Sequence, residues 1–386
     1  MKKLALIVLG VMPLLAHAQS SVTLYGILDE GLHYQNNVSG GKKVSMDSLS
    51  GPYGSRWGIT GAEDLGGGLQ AIFTVESGIN IPNGQSAQGG TMFGRQVFVG
   101  VKSAQYGSVT VGRQYDMVFY FPEFISGYAL MGGPTSVHPG DLDNAANSVR
   151  WNNTIRYMSP SFHGFTFGGL YSLGGVAGDF TSQSGYSLGA GYTTGGLKLA
   201  AAYEFFKTPT ATAGRGLFTD NQSGASSLSG SLNSGYQVAQ SYQVAMFAAS
   251  YALTDKWTVA GSYSNTEYGN LGASFLKSEA KFHNFDLAIS YKFTPFLSSG
   301  LDYNYLKATA VGKAGNSDAG NQHYNQFSWA TNYVLSKRTE LYGAIGYQLA
   351  SGSNSLGRSA VANISNLGDS STDKQVLVRL AIRHRF

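Results

Sequence analysis

Two aspartates in the stretch GDLDNAAN, Asp141 and Asp143, have the i and i+2 spacing of the carboxylates in a calcium-binding loop. The stretch lacks the glycine that such a loop needs at its sharp turn and the glutamate that closes it, so it predicts no specific calcium site. The H-E-x-x-H motif of zinc proteases is absent, and the histidines are scattered along the chain. These patterns argue against an enzyme and against a metal or other cofactor. The charged residues therefore have to be interpreted through the elements that carry them.

The N-terminus has the pattern of a secretory signal. Two lysines precede an apolar run over residues 4–15, and an A-x-A cleavage site follows at 16–18. The apolar run is too short to cross a membrane as a helix. We expect a signal peptide over residues 1–18 and a mature chain that begins at Gln19.

The composition differs from that of a typical soluble domain. Of 386 residues, 52 are glycine, 24 tyrosine and 21 phenylalanine, and the mean hydropathy is −0.10. Such a blend is expected where one face of every strand meets lipid and the other meets water. The 26 basic residues include the two lysines of the predicted signal, which leaves 24 against 22 acidic residues. This balance is too weak to indicate a nucleic acid as a partner.

Alternation of apolar and polar residues predicts β-strands through most of the chain. In NFDLAISYKF (284–293), Phe285, Leu287 and Ile289 lie on one face, opposite Asp286. Such runs have about the 9–11 residues that a tilted strand needs to cross a membrane. The predicted strands start near Val22, Arg56, Leu69, Arg95, Ser108, Thr154, Phe165, Tyr186, Leu197, Tyr242, Trp257, His283, Phe296, Gln326, Leu341 and Lys374. The predicted fold class is all-β, a transmembrane antiparallel β-barrel of about 16 strands over residues 19–386. A water-soluble β-sandwich is the alternative, but it would expose large aromatic patches to water.

The connections alternate between tight turns, such as 253–256, and long polar segments, such as 208–240. This alternation is typical of the two ends of an outer-membrane barrel. One connection is different, because DMVFYFPEFISGYALMGGP (116–134) is aromatic and almost uncharged. Exposed loops are normally polar, so another part of the protein must cover this one.

Several sequence pieces, in their order and spacing, carry a resemblance to a known family. They are SSVTLYGILDEGL (20–32), SRWGITGAEDLGGGLQAIFTVESG (55–78), GRQVFVGVKS (94–103), GSVTVGRQYD (107–116), PEF (122–124), IRYMSPSFHGF (155–165) and IRHRF (382–386). Over essentially its whole mature length the chain resembles the Gram-negative trimeric general porins. The resemblance implies a homotrimer of sixteen-stranded barrels that pass small hydrophilic solutes across the outer membrane.

The resemblance also implies a constriction. In that family the third outer loop folds inward and faces a cluster of arginines across the narrowest part of the channel, which places the loop at residues 116–149. The matching residues are Arg56, Arg95 and Arg150 on the wall and Glu123 on the loop. An arginine on the lipid face near mid-membrane would cost about 2–4 kcal/mol, which favours an inward orientation for Arg56 and Arg95.

This chain departs from the enterobacterial pattern at two positions. Ile27 stands where those porins have a lysine, and Phe119 where they have a second loop acid. Asp29, two residues beyond Ile27, is a candidate wall carboxylate. Asp141 and Asp143 are either lumen-facing loop acids or plain loop residues.

We therefore expect a passive, water-filled outer-membrane channel for small hydrophilic solutes and inorganic ions, in contact with outer-membrane lipids. Three wall arginines against one or two acids predict a moderate preference for anions. The implied trimer joins its subunits through the first and last strands, with Arg113 near the trimer axis rather than at the constriction. The alternative function is a barrel that serves as a platform for an adhesin or an enzyme. An adhesin would use the long outer loops and have no inward-folded third loop.

Overall fold

A closed ring of antiparallel strands organises the molecule. The computed structural model describes residues 21–48, 53–131, 133–209, 217–218, 232, 235–236, 238–272, 279–309, 312–314 and 317–386. The predicted signal peptide (1–18) lies outside these residues. In the described part of the chain, sixteen strands pair in chain order around the ring. They are β1 (Ser21–Val38), β2 (Arg56–Gly66), β3 (Leu69–Asn80), β4 (Gln96–Ser103), β5 (Gly107–Gln114), β6 (Trp151–Met158), β7 (Phe165–Ser172), β8 (Gly185–Thr194), β9 (Leu197–Lys207), β10 (Ser241–Ala252), β11 (Trp257–Gly269), β12 (Glu279–Lys292), β13 (Leu297–Ala308), β14 (His323–Val334), β15 (Thr339–Ser351) and β16 (Lys374–Arg385).

The first strand closes the ring because it pairs on both sides. Residues 21–27 pair with β2, and residues 27–35 pair with β16. Phe386 and Gly26 exchange two backbone hydrogen bonds of 3.1 and 3.2 Å at this seam. A Cβ on Gly26 would lie 2.3 Å from the Phe386 ring, so the close approach requires glycine. Pairing along the seam leaves β1 and β16 without the open edges of a flat sheet.

The predicted barrel is confirmed for the described residues. The largest error in a strand start is at β12, which was predicted near His283 and begins at Glu279. The shorter elements lie in the connections. They are strands Gly41–Asp47, Gln85–Ser86, Gly312–Ala314 and Ser317–Ala319, α-helices α1 (Ala87–Gly90), α2 (Met117–Tyr120) and α3 (Gly127–Met131), and 3-10 turns Glu123–Ile125, Pro134–Ser136, Pro139–Asp141 and Ile364–Asn366.

The two faces of the strands have different environments. On β12, Phe285, Leu287 and Ile289 are exposed, whereas Asp286 and Ala288 are buried. Because the sheet is closed, the exposed apolar face forms the outside of the barrel and the buried, mostly polar face forms its inside. Contact with lipid removes the cost of exposing an apolar outer face to water.

The connection between β5 and β6 contacts the inner face of the strands. The backbone amide of Gly127 donates to Asp286 on β12 at 2.9 Å, and the carbonyl of Thr135 accepts from Gln326 on β14 at 2.7 Å. Six apolar residues of this connection join the largest buried cluster of the described chain, together with inner-face residues of strands between β6 and β15. Its members on the connection are Met117, Val118, Phe121, Leu142, Ala145 and Val149.

Candidate functional site

Glu76 is the centre of a charged cluster on the inner wall. Its carboxylate accepts a hydrogen bond from Nε of Arg95 at 2.9 Å and lies 3.3 Å from Nε of Arg56. The hydroxyls of Tyr25 and Tyr115 donate to the same carboxylate at 2.9 and 2.6 Å. Hydrogen bonds to an ionised carboxylate are shorter and stronger than those between neutral groups. Glu76 therefore compensates two arginines at once.

Three neighbouring strands bring these groups together. Arg56 begins β2, Glu76 lies in β3, and Arg95 immediately precedes β4. Gly58 stands opposite Glu76 in the β2–β3 register, and a Cβ there would lie 2.7 Å from the ring of Tyr25. The glycine thus leaves the room that the tyrosine needs to reach Glu76.

Arg150 joins the cluster through Tyr115. The guanidinium carbons of Arg95 and Arg150 lie 5.8 and 5.7 Å from the centroid of the Tyr115 ring. These distances are within the range of cation–π attraction. Arg95 and Arg150 are buried, while 17% of the Arg56 side chain remains exposed. The structure thus brings together the three arginines that the sequence predicted.

Asp29 belongs to a second charged group on the same wall. Its two carboxylate oxygens accept from Arg379 at 2.7 Å and from Arg383 at 2.6 Å. Arg383 and Arg385 also contact Glu340, at 2.9 and 3.0 Å. The three arginines of β16 are therefore offset by two carboxylates, and Asp29 bonds to this strand rather than to the Arg56 cluster.

Glu123 is fully buried in the connection 116–149. Neither of its carboxylate oxygens has a hydrogen-bond partner among the described residues. Burial, together with the neighbouring carboxylates of Asp141 and Asp116, raises the pKa of Glu123 well above its ordinary value. Arg95 and Arg150 oppose this rise, since they lie close enough to favour the charged form.

Of the other two predicted loop acids, Asp141 is held by its own segment, whereas Asp143 also accepts a hydrogen bond from the hydroxyl of Ser264 on β11. Asp141 accepts from the backbone amides of Ala146 and Ser148 at 2.7 and 3.0 Å. Burial raises the pKa of Asp141 to about 7. Asp143 lies 2.7 Å from Nδ1 of His138, and this neighbour lowers the pKa of Asp143 although burial alone would raise it. Both aspartates thus stabilise the conformation of the loop.

His138 links the loop to the barrel wall. Its Nε2 lies 3.4 Å from a carboxylate oxygen of Asp286 on β12, while its Nδ1 contacts Asp143. Burial opposes the charged imidazolium, but Asp143 and Asp286 raise the pKa of His138 well above its ordinary value. The two carboxylates therefore favour the charged form of His138.

The wall opposite the arginines carries covered carboxylates. Glu204 on β9, Asp286 on β12 and Asp302 on β13 are all buried on the inner face. A Cβ on Gly127 would lie 2.7 and 2.8 Å from oxygens of Asp286 and Asp302, so the segment 116–149 approaches this wall as closely as glycine allows.

A G-x-S-x-G sequence, GYSLG at 185–189, forms the first half of β8. In serine hydrolases this motif forms a sharp turn between a strand and a helix, which exposes the serine. Here Ser187 is fully buried, and its hydroxyl accepts from the backbone amide of Met117 at 2.9 Å. The geometry is that of a structural contact and not of a nucleophile.

A cavity of about 730 Å³ borders the arginine cluster. Arg95 lines it together with Ser55 and Asn80 of the wall, Pro134 of the loop and Ser365 of the last connection. In the described ranges, no three or more histidine, aspartate or glutamate side chains are arranged to hold a metal ion. The helices of the described ranges are all too short, or too polar, for one to traverse a bilayer.

Comparison with known proteins identifies the family. The family model described as Gram-negative porin matches residues 5–353. The chain belongs to the Gram-negative porins. It is 29% identical to an outer membrane porin protein of Bordetella pertussis, over 96% of each chain. The fold is similar to that of an anion-selective porin from Comamonas acidovorans, with a TM-score of 0.68, 22% identity and coverage of 95% of this chain and 100% of that one. It is also similar to the trimer form of OmpT, an outer membrane protein of Vibrio cholerae, with a TM-score of 0.63, 16% identity and coverage of 95% and 99%.

As a porin, this protein is a passive channel that crosses the outer membrane through its strands. The sequence predicted this function and location. Arg113, which the resemblance places near the trimer axis, makes contacts within the barrel: its Nε donates to the carbonyl of Gly94 at 3.0 Å, and its guanidinium also bonds to Asn152. These contacts join β5 to the chain before β4 and β6.

The sequence reasoning missed Glu76 as the partner of the arginines in this porin. A signal for it was present, because Gln70, Thr74 and Glu76 alternate with Val75 and Phe73 along β3. That period of two places Glu76 on the inner face, where the arginines were expected.

Proposed function

We propose that residues 116–149 lie inside the barrel and form the narrowest part of the channel, opposite Arg56, Arg95 and Arg150. The contacts of Gly127 with Asp286 and of Thr135 with Gln326 support this placement, because both partners are on the inner face. A non-helical segment at membrane depth is tolerated where it lines a water-filled cavity.

The channel in this proposal has a moderate preference for anions. The observation that carries it is the cluster in which Arg56 and Arg95 share one carboxylate, Glu76, while Arg150 lies against the ring of Tyr115 and Arg95 lines an open cavity. Charges within a Debye length, ~8 Å at physiological salt, act on a passing ion. Fixed charges lining a pore set its ion preference.

The carboxylates of the loop do not cancel this positive charge. The raised pKa of Glu123 reduces its negative charge, and His138 offsets Asp143. Asp29 is offset by the arginines of β16. The anion preference should weaken as the salt concentration rises, because mobile ions screen the cluster.

The channel assembles as a homotrimer in this proposal, with β1 and β16 at the contact between subunits and Arg113 near the trimer axis. Outer-membrane lipids surround the trimer, and small hydrophilic solutes and inorganic ions pass through each barrel. The trimer form of a porin-like fold neighbour is consistent with this assembly.

One recording tests both parts of the proposal. Purified protein in a planar bilayer should give ohmic current in steps that come in groups of three, and a salt gradient should give a reversal potential of the anion-selective sign. A silent bilayer would contradict the channel. A clearly cation-selective current would contradict the selectivity but not the channel.

A further inference from the structure

Three glutamines form a row on the inner face of the last three strands. Gln326 on β14 stands opposite Gln348 on β15, which stands opposite Gln375 on β16. All three are fully buried. An uncharged amide both donates and accepts, so a buried one needs several partners to avoid a desolvation penalty. We call these three residues the amide row.

One end of the amide row holds the segment 116–149. Nε2 of Gln326 donates to the backbone carbonyls of Thr135 and Val137, at 2.7 and 2.8 Å. Oε1 of Gln326 accepts from Nε2 of Gln348 at 2.7 Å, which connects the first amide to the second. The orientation of Gln326 is therefore fixed on both sides.

The other two glutamines of the amide row, Gln348 and Gln375, bind the last outer connection, residues 352–373. Oε1 of Gln348 accepts from the amide of Asn363 at 2.6 Å, and Oε1 of Gln375 accepts from the amide of Ile364 at 2.7 Å. Nε2 of Gln375 also donates to the carbonyl of Gly368 at 3.0 Å. The side chain of Ile364 is fully buried, so this part of the connection is packed against the barrel interior.

The two segments also touch each other directly. The hydroxyl of Ser365 donates to the carbonyl of Pro134. Beneath both lies Gly346, where a Cβ would be 3.0 Å from Cβ of Thr135 and 3.5 Å from Cδ1 of Ile364. Both segments therefore pack closely over position 346, where a larger residue would require Thr135 to shift.

Both segments line the approach to the arginine cluster. Ser365 and Leu367 of the last connection and Pro134 and Val137 of the loop border the same cavity of about 730 Å³ as Arg95. A solute that reaches Arg95 through this cavity therefore passes side chains of the last connection as well as of the loop.

We propose that residues 362–368 are a second constriction element. The amide row fixes this element to the segment 116–149. Residues 362–368 and the segment 116–149 together set the width of the approach to Arg95. The glutamines act as positioning residues, and Ser365 and Leu367 form the lining. Because amides neither titrate nor carry charge, this element sorts solutes by size and leaves ion preference to the arginines. The inference rests on the proposed channel function.

Thiol labelling of Ser365 tests the lining directly, since the native chain has no cysteine. In the full-length Ser365→Cys porin, a bulky thiol reagent should lower the single-channel conductance. The matched control is Ser359→Cys, an exposed position of the same connection, where labelling should leave the conductance unchanged. Equal conductance before and after complete labelling at position 365, in a channel that otherwise conducts, would overturn the inference while leaving the channel function intact.

The amide row is tested by Gln348→Ala combined with Gln375→Ala. We expect a higher single-channel conductance and faster entry of larger sugars into liposomes, with the same reversal potential as the wild type. If the two glutamines only stabilised the barrel, their substitution would not raise the conductance while leaving the reversal potential unchanged. The control is Gln243→Ala, since this half-buried glutamine lies on β10, away from both segments. An unchanged sugar size limit in the double variant would contradict the role of the amide row, and if that variant does not fold, the labelling result decides alone.

Discussion

The two walls of the barrel interior carry charge of opposite sign in different surroundings. On the side of β2 to β4, Arg56 and Arg95 share Glu76, and Arg95 lines an open cavity. On the side of β12 and β13, Asp286 and Asp302 are covered by the segment that contains Gly127. The charge of Arg95 beside the cavity acts on passing ions, whereas Asp286 on the covered wall is paired with His138. The number of charged residues on the inner face therefore does not by itself give the ion selectivity of a porin.

Two kinds of contact attach the segment 116–149 to the barrel wall. One part of it is held by a charged contact, in which His138 lies between Asp143 and Asp286. Another part is held by the uncharged amide of Gln326. The charged contact depends on pH, and the amide contact does not.

The largest effect is expected from Glu76→Gln on the arginine wall. Breaking a buried ion pair by removal of one partner typically costs about 3–5 kcal/mol, because the remaining charge is left uncompensated. We expect a loss of this order in the free energy of unfolding in detergent, together with a stronger preference for anions. Glu63→Gln, an exposed carboxylate on β2, is the control. Equal stability of the two variants would show that the arginines do not depend on Glu76.

A smaller effect is expected from alkaline pH on the covered wall. A histidine whose pKa is raised by folding stabilises the folded state below its ordinary pKa of about 6.5, and that contribution is lost as the pH rises through the raised value. The groups that face His138 are the carboxylates of Asp143, Asp286 and Asp302. Above the raised pKa we expect the segment to loosen.

Open-channel current noise measures this loosening. The noise should grow as the pH rises through the raised pKa of His138, and the growth should be absent in His138→Asn, which has no such group to titrate. The same pH dependence in the wild type and the variant would assign the effect to other groups.

The smallest effect is expected from Tyr115→Phe. The change removes one hydrogen bond to Glu76 but keeps the ring between Arg95 and Arg150. Because Glu76 retains its other donors, the loss in the free energy of unfolding should be about 1.5 kcal/mol, the low end for a hydrogen bond to a charged group. The reversal potential should stay at the wild-type value. A marked shift in the reversal potential would mean that the hydroxyl itself contacts the permeating ions.

Much of the fold followed from local sequence patterns. Each strand is recognised by its period of two. The outward apolar face of a strand can be identified from the residues of that strand alone, as Phe285, Leu287 and Ile289 show. Strand starts such as Arg56 and Leu69 were predicted correctly for this reason.

The partners of the charged residues could not be predicted in the same way. Asp29 lies beside Arg383 only because the ring closes between the first and last strands, a contact across 354 positions. The amide row depends on the registers of β14 to β16, and a pattern within one strand does not specify the register of its neighbour. Sequence alone therefore predicted the arginines but neither Glu76 nor the contacts that cover the opposite wall.

The reversal potential of two single variants tests the difference between the walls most directly. Arg56→Gln removes the positive charge of a partly exposed side chain, and Glu204→Gln removes a carboxyl group that is fully covered. In the same salt gradient, Arg56→Gln should shift the reversal potential toward cations, and Glu204→Gln should leave it at the wild-type value. A shift toward anions in Glu204→Gln as large as the shift toward cations in Arg56→Gln would contradict the account, because it would show that the covered wall acts on the permeating ions.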